Sequence, residues 1–247
     1  SHPSVRIAIV GKYIRLHDAY LSISEALSHA GFALDVSVEI VWVESADVTD
    51  ENAKTLLKGC AGILVPGGFG DRGIEGMIAA CRYAREHHVP YFGICLGMQI
   101  SVIEFARHVL GLADANSHEF TKKKKNLVID FMPDQDDEIP KGGTMRLGAY
   151  PCKIKPGSTL KSAYGVELVK ERHRHRYEFN NRFRTAMEAA GLSVSGTSPD
   201  NHIVEATELP GEAFFVGVQF HPEFKSRPNR AHPLFVRFVE AATRQGK

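Results

Sequence analysis

Residues 6–110 alternate short apolar runs with helix-spaced stretches, and glycines or a Pro-Gly-Gly turn punctuate the alternation. This constrains the fold more than any other feature, because strands that alternate with helices form βαβ units around a mostly parallel sheet. Residues 6–10 (RIAIV) read as a buried strand ending at Gly11. Residues 17–30 place Ala19, Ile23, Ala26, Leu27 and Ala30 at helical spacing, with Gly31 expected as the C-terminal stop. Residues 36–43 read as a second strand and 50–57 as a short helix with an acidic first turn. Residues 61–65 form a third strand, stopped by Pro66-Gly67-Gly68. A helix at 75–87, a fourth strand at 91–94 and a helical pattern at 96–110 complete this half. Ligands of such sheets sit at the carboxyl ends of the strands, where Gly67-Gly68 and Cys95 fall.

Past Gly111 the pattern changes. Lys122-Lys123-Lys124-Lys125 and Asp134-Gln135-Asp136-Asp137-Glu138 flank a short apolar run, so residues 121–141 are expected to be an insertion or mobile loop outside the core. Both charge runs read as solvated, without the spacing of a cation-binding loop. Strand-like stretches follow at 149–154, 165–170, 193–196, 203–206 and 214–220, with helical patterns at 179–190 and 232–242. The expectation is a single α/β domain over 1–247, a three-layer sandwich with an additional β-rich part. Residues 1–4 are expected to be a linker or remnant.

Hydrophobic residues make up 43% of the chain and the net charge is +1, as in a soluble globular protein. Nothing in that balance favours nucleic acid or a membrane as partner, and no apolar run is long enough to span a bilayer. The first residues lack the pattern of a signal peptide. Cys60, Cys81, Cys95 and Cys152 are scattered without CxxC spacing, which indicates neither a zinc site nor a disulfide framework and points to a reduced, cytoplasmic setting.

Two motifs carry chemistry. Gly93-Ile94-Cys95-Leu96-Gly97 sits at a strand-to-helix junction, where small residues allow a sharp turn that presents a nucleophile. A lone cysteine is usually a buried structural residue. Here, however, a helix beginning just after Cys95 would put its positive end at the sulfur and aim the Leu96 N–H at a developing oxyanion. Far downstream, His221-Pro222-Glu223 supplies a base and a carboxylate. If the backbone there is extended, residues two apart share a face, and Glu223 can orient the His221 imidazole.

Gly68-Phe69-Gly70-Asp71-Arg72-Gly73 formally matches a dinucleotide-binding fingerprint. It follows the third strand rather than the first, and the next strand ends in Cys95 instead of a ribose-binding acid. The better role for these glycines is to bare a backbone N–H of Gly67 or Gly68 as a second oxyanion donor. In residues 171–177 (ERHRHRY), Arg172, Arg174 and Arg176 alternate with His173 and His175. If extended, that run is either a solvated basic edge or a strip that grips carboxylate or phosphate.

Pro66-Gly67-Gly68, Gly93-Ile94-Cys95-Leu96-Gly97-Met98-Gln99 and Gln219-Phe220-His221-Pro222-Glu223 resemble the triad-bearing class-I glutamine amidotransferases. Val10-Gly11-Lys12-Tyr13, residues 66–76 (PGGFGDRGIEG), Asn116-Ser117-His118-Glu119-Phe120, residues 142–148 (GGTMRLG), residues 171–180 and His232-Pro233-Leu234-Phe235 are similar to the glutaminase domains of CTP synthases. The resemblance runs nearly the full length and departs at 121–141.

It implies a class-I amidotransferase fold and a triad of Cys95, His221 and Glu223 acting on L-glutamine, with Gly67, Gly68 and Leu96 at the oxyanion. It places Gly68, Phe69, Leu96, Gly97, Met98, Gln99, Glu119, Arg176 and Tyr177 around the substrate, Arg176 against its α-carboxylate, and no metal. No cofactor is implied for this domain. The full family enzyme uses ATP and Mg2+, with GTP as an activator acting near residues 69–76, and passes ammonia to a synthetase domain of the same polypeptide within a homotetramer. The sequence has no P-loop signature, so the synthetase domain is expected to be absent from this chain. Two other readings remain: a γ-glutamyl peptide hydrolase with the same triad, and a nucleotide-binding module.

Overall fold

A computed structural model describes residues 2–12, 14, 17–131 and 145–245. The chain opens with β1 (Ser4–Gly11), a short 3₁₀ turn and α1 (Leu21–Leu34). Then come β2 (Ser37–Glu44), α2 (Ala53–Leu56), β3 (Gly62–Val65), α3 (Ile74–Glu86), β4 (Tyr91–Ile94) and α4 (Leu96–His108). The second half holds β5 (Asn116–Ser117), β6 (Leu127–Phe131), β7 (Arg146–Ile154), α5 (Thr159–Tyr164), β8 (Leu168–His175) and β9 (Tyr177–Phe179). It closes with α6 (Arg184–Ala189), β10 (Ser193–Thr197), β11 (Val204–Glu208), β12 (Phe215–Val218) and α7 (Pro233–Gln245).

Among the described residues the main sheet runs β2-β1-β3-β4-β12-β11-β10-β7-β8, and β5-β6-β9 form a small second sheet. Pairing is parallel from β2 through β12 and antiparallel from β12 to β8. The parallel strands β3, β4 and β12 are buried along their whole length, which is why each is an uninterrupted apolar run rather than an alternating one. One face of the sheet is covered by α3 and α4, the other by α1, α5 and α7. The two apolar faces make the three-layer sandwich that the alternation predicts.

The pairing of β4 with β12 matters most for function. Val218 stands opposite Ile94 in parallel register. The carboxyl ends of two strands far apart in sequence therefore lie side by side, and Cys95 and His221 follow those ends.

Several expectations need correction. Ser4, expected in a linker, pairs in β1. The first long helix begins at Leu21 after a 3₁₀ turn over His17–Tyr20, and it runs past Gly31 to a left-handed Asp35. Gly31 is an interior residue: a Cβ there would stand 2.8 Å from the Val36 carbonyl oxygen, so glycine lets the chain entering β2 pass close to α1. The helix expected at 50–57 is one turn. The apolar run inside 121–141 is β6, with Val128 and Ile129 fully buried in the core against α4. Lysines before it obscured that burial. Residues 179–190 split into the end of β9, a 3₁₀ turn and the short α6. The acidic run 134–138, the start of 142–148 and Tyr13 lie outside the described residues.

Candidate active site

The site begins with a strained backbone. Cys95 adopts φ 54° and ψ −103°, a region that side-chain-bearing residues rarely enter. Its N–H donates to the Val218 carbonyl at 2.7 Å, which ties the turn to β12. The glycines on either side explain how α4 fits so closely behind it. A Cβ on Gly93 would lie 2.4 Å from the Gly97 carbonyl oxygen, and one on Gly97 would lie 2.0 Å from that of Val65. The helix therefore starts directly on the sheet, with the sulfur at its positive end.

His221 follows β12, and its N–H donates to the Arg172 carbonyl of β8 at 2.8 Å. Its Nδ1 donates to Glu223 Oε1 at 2.6 Å. Glu223 reaches the ring through a 3₁₀ turn over Pro222–Lys225, not through the extended backbone that the spacing suggests, because Pro222 occupies the first helical position. Phe224 stacks on the imidazole with ring centroids 5.2 Å apart. Burial opposes the charged imidazole, but the hydrogen bond and charge of the Cys95 sulfur, joined by Glu223, outweigh it and raise the His221 pKa to about 10. His221 is thus held as an imidazolium facing Cys95.

Cys95 lies between two cavities. One of about 410 Å³ is bounded by Gly68, Phe69, Leu96, Gln99, Glu119, Arg176 and Tyr177. Gln99 Nε2 donates to the Tyr177 carbonyl at 3.0 Å and to Gln219 Oε1 at 3.2 Å. Arg176 Nε is buried with no hydrogen-bond partner among the described residues, so the cavity wall holds a guanidinium N–H available to an anion. The second cavity, about 240 Å³, reaches Cys95 and His221 from the side of Tyr20, Ile23 and Phe224.

The loop carrying Gly67-Gly68 is pinned from both sides. Lys12 Nζ donates to the carbonyls of Phe69, at 2.8 Å, and Gly70, while Gly70 N–H donates to Glu119 Oε1 at 3.1 Å. Burial lowers the Lys12 pKa and raises that of Glu119, although their mutual attraction opposes both shifts. A Cβ on Gly67 would sit 2.9 Å from the His221 ring, so this glycine lets the loop close over Cys95 and His221.

The structure brings Cys95, His221, Glu223, Gly67, Gly68, Phe69, Leu96, Gln99, Glu119, Arg176 and Tyr177 together. It does not bring Gly97 or Met98 to either cavity. Gly97 faces β3, and Met98 is fully buried against Gly217 of β12, because both sit on the sheet-facing side of α4. The spacing gave no cue for Met145 and Gln219. Arg174 belonged to the basic alternation but was not placed in the site, yet its carbonyl oxygen lies 3.7 Å from Cys95 Sγ and its guanidinium 5.6 Å from the Phe69 ring. Gln219 Nε2 approaches Cys95 Sγ at 3.6 Å. Alternating burial along β8 was the available signal for Arg174 and His175.

Comparison with known proteins agrees with this geometry. The family described as "Glutamine amidotransferase class-I" matches residues 15–241. The chain is 58% identical to the CTP synthase of Lactiplantibacillus plantarum over 245 residues, 99% of this chain and 46% of that protein. It is 60% identical to that of Roseiflexus castenholzii over 237 residues, 96% of this chain and 43% of that protein. The chain thus spans about half the length of the curated relatives it matches. Among solved structures, the Trypanosoma brucei CTPS glutaminase domain with bound acivicin superposes with a TM-score of 0.91 at 42% identity, covering 97% of this chain and 94% of that one.

Proposed function

The chain belongs to the class-I glutamine amidotransferases, with the glutaminase domains of CTP synthases, and from that premise we propose that it hydrolyses L-glutamine to glutamate and ammonia through a thioester on Cys95. The observation that carries this reading is the strained Cys95 at the start of α4 facing an imidazolium that Glu223 holds from behind.

The Cys95 sulfur attacks the side-chain amide carbon, forming a C–S bond and moving an electron pair onto the amide oxygen. Backbone N–H groups of Leu96 and of the Gly67-Gly68 turn meet that oxyanion, each worth about 10²–10³ in rate in such sites. Collapse expels ammonia, which takes its proton from His221. His221, now neutral, accepts a proton from water as the water attacks the thioester. The C–S bond breaks, glutamate leaves and the sulfur regains its starting state. Glu223 orients the ring and stabilises its charged form in both halves of the reaction. The unpartnered Arg176 Nε supports a role on the α-carboxylate, and Gln99 and Glu119 complete the amino-acid end.

The ammonia would serve a synthetase part that aminates UTP to CTP, as a cytoplasmic step of pyrimidine nucleotide synthesis carried out by a homotetramer. ATP and Mg2+ would act in that part. GTP would activate hydrolysis near residues 69–76, where the exposed Phe69 ring and the neighbouring Arg174 suit a purine and a charged phosphate. Glutamate release from L-glutamine, followed with and without a synthetase domain and GTP, tests the scheme. The expected result is slow release by this chain, faster release with the added components, and none from Cys95→Ala. Full activity in Cys95→Ala would overturn it.

A further inference from the structure

Behind the arginine-bearing wall of the glutamine cavity lies a buried chain of polar groups that the proposed chemistry does not use. Arg146 of β7 and Glu205 of β11 form an ion pair, and both are buried. Glu205 Oε2 stands 2.8 Å from His173 Nε2, at ion-pair distance, and neither atom makes a hydrogen bond among the described residues. His173 Nδ1 lies 2.9 Å from His175 Nε2, and His175 Nδ1 lies 3.1 Å from the Tyr177 carbonyl. That carbonyl also receives Gln99 Nε2.

The protons in this chain can be assigned by elimination. A carbonyl only accepts, so His175 must carry its proton on Nδ1. Burial, joined by the Arg146 charge, keeps His175 neutral, which leaves its Nε2 bare. His173 Nδ1 must then donate to it. At the other end of the His173 ring, Nε2 stands 2.8 Å from the Glu205 carboxylate, whose other oxygen takes the Arg146 guanidinium.

We propose that His173 is a positioning residue for glutamine binding: placed beside Glu205, it donates through Nδ1 to His175, fixes the His175 proton on Nδ1 and thereby anchors the Tyr177 carbonyl and the wall formed by Arg174, Arg176 and Gln99. His173 touches neither cavity. The other ring neighbours are aromatic, Tyr150 and Phe220, and the charge that opposes it is the Arg146 guanidinium of β7, paired with the same Glu205. Its consequence for glutamine rests on the glutaminase reading, but its proton assignment does not.

The test is long-range ¹H–¹⁵N correlation spectroscopy of the histidine-labelled chain at neutral pH, paired with alkylation of Cys95 by a halo-dihydroisoxazole amino acid. The expected spectrum has His173 protonated at Nδ1 and His175 protonated only at Nδ1. A His173 bare at Nδ1, or His175 carrying its proton on Nε2, overturns the proposal whether or not any variant folds. In His173→Leu, the analogue concentration for half-maximal alkylation should rise about tenfold and the limiting rate change by less than about threefold. His173→Asn keeps a donor near the Nδ1 position and should restore wild-type half-saturation. A fall in limiting rate alone would contradict positioning at the substrate wall. Absence of alkylation in the wild-type chain would sink the glutaminase reading and leave the spectrum to decide the proton chain.

Discussion

Cys95 holds a positive φ that costs its backbone on the order of 1–3 kcal/mol. The return is a sulfur placed at a helix start beside a charged histidine. His221 draws its raised pKa from Cys95 and Glu223 against the opposing effect of burial. The sign of its pH dependence follows. A histidine favoured in its protonated form contributes stability that is fully present below its ordinary pKa of about 6.5 and is lost as pH rises through about 10. Glu223→Gln removes one source of that preference, so the His221 pKa should fall from about 10, and both the stability contribution and the acid that protonates ammonia should be lost at lower pH. An NMR titration of the His221 ring in the two proteins checks this; an unchanged midpoint would show that Glu223 does not stabilise the imidazolium. Cys95, His221 and Glu223 were legible because small residues flank a nucleophile and a carboxylate follows a histidine. The 3₁₀ turn that joins His221 to Glu223 was not, since an extended strand gives the same spacing a similar result. Lys12, buried beneath the Phe69 loop, and Gln219 were invisible as site residues because their partners lie far away in sequence.

At the scale of elements, α4 is seated by three glycines, two of which, Gly93 and Gly97, stand in the motif around Cys95. Gly93, Gly97 and Gly217 face backbone or Met98 at distances no Cβ could occupy. Gly97→Ala should therefore destabilise the chain by about 3 kcal/mol, at the upper end of overpacking effects. That corresponds to a fall in melting temperature of roughly 6–12 °C for a chain of this size. Differential scanning calorimetry reads it directly, and an unshifted melting temperature would mean that α4 is free to move off the sheet. The parallel strands were legible because burial on both faces makes them purely apolar. β6 was missed because lysines precede it and its partners β5 and β9 are very short. The end of α1 was misplaced because Gly31 serves packing inside a helix, a use that sequence cannot distinguish from a stop.

At the scale of the whole molecule, the site exists because a strand from the end of the chain inserts beside β4. The order β4-β12-β11 reverses the direction of the sheet at this point and brings His221 and Glu223 to the nucleophile. Both halves of the site were legible in the sequence, but their adjacency was not, because it depends on strand order rather than local pattern. Two cavities meeting at Cys95 suit a reaction whose substrate enters on one side and whose small product leaves on the other. Among the described residues no helix is long and apolar enough to cross a membrane. The central claim is that the first cavity presents Cys95 to glutamine. Its most direct test is incubation of the chain with a halo-dihydroisoxazole amino acid, followed by intact mass and peptide mapping. The account predicts a single adduct on Cys95, prevented by excess L-glutamine and absent from Cys95→Ala. No adduct on a folded chain, or labelling of Cys60, Cys81 or Cys152 that glutamine does not prevent, would contradict it.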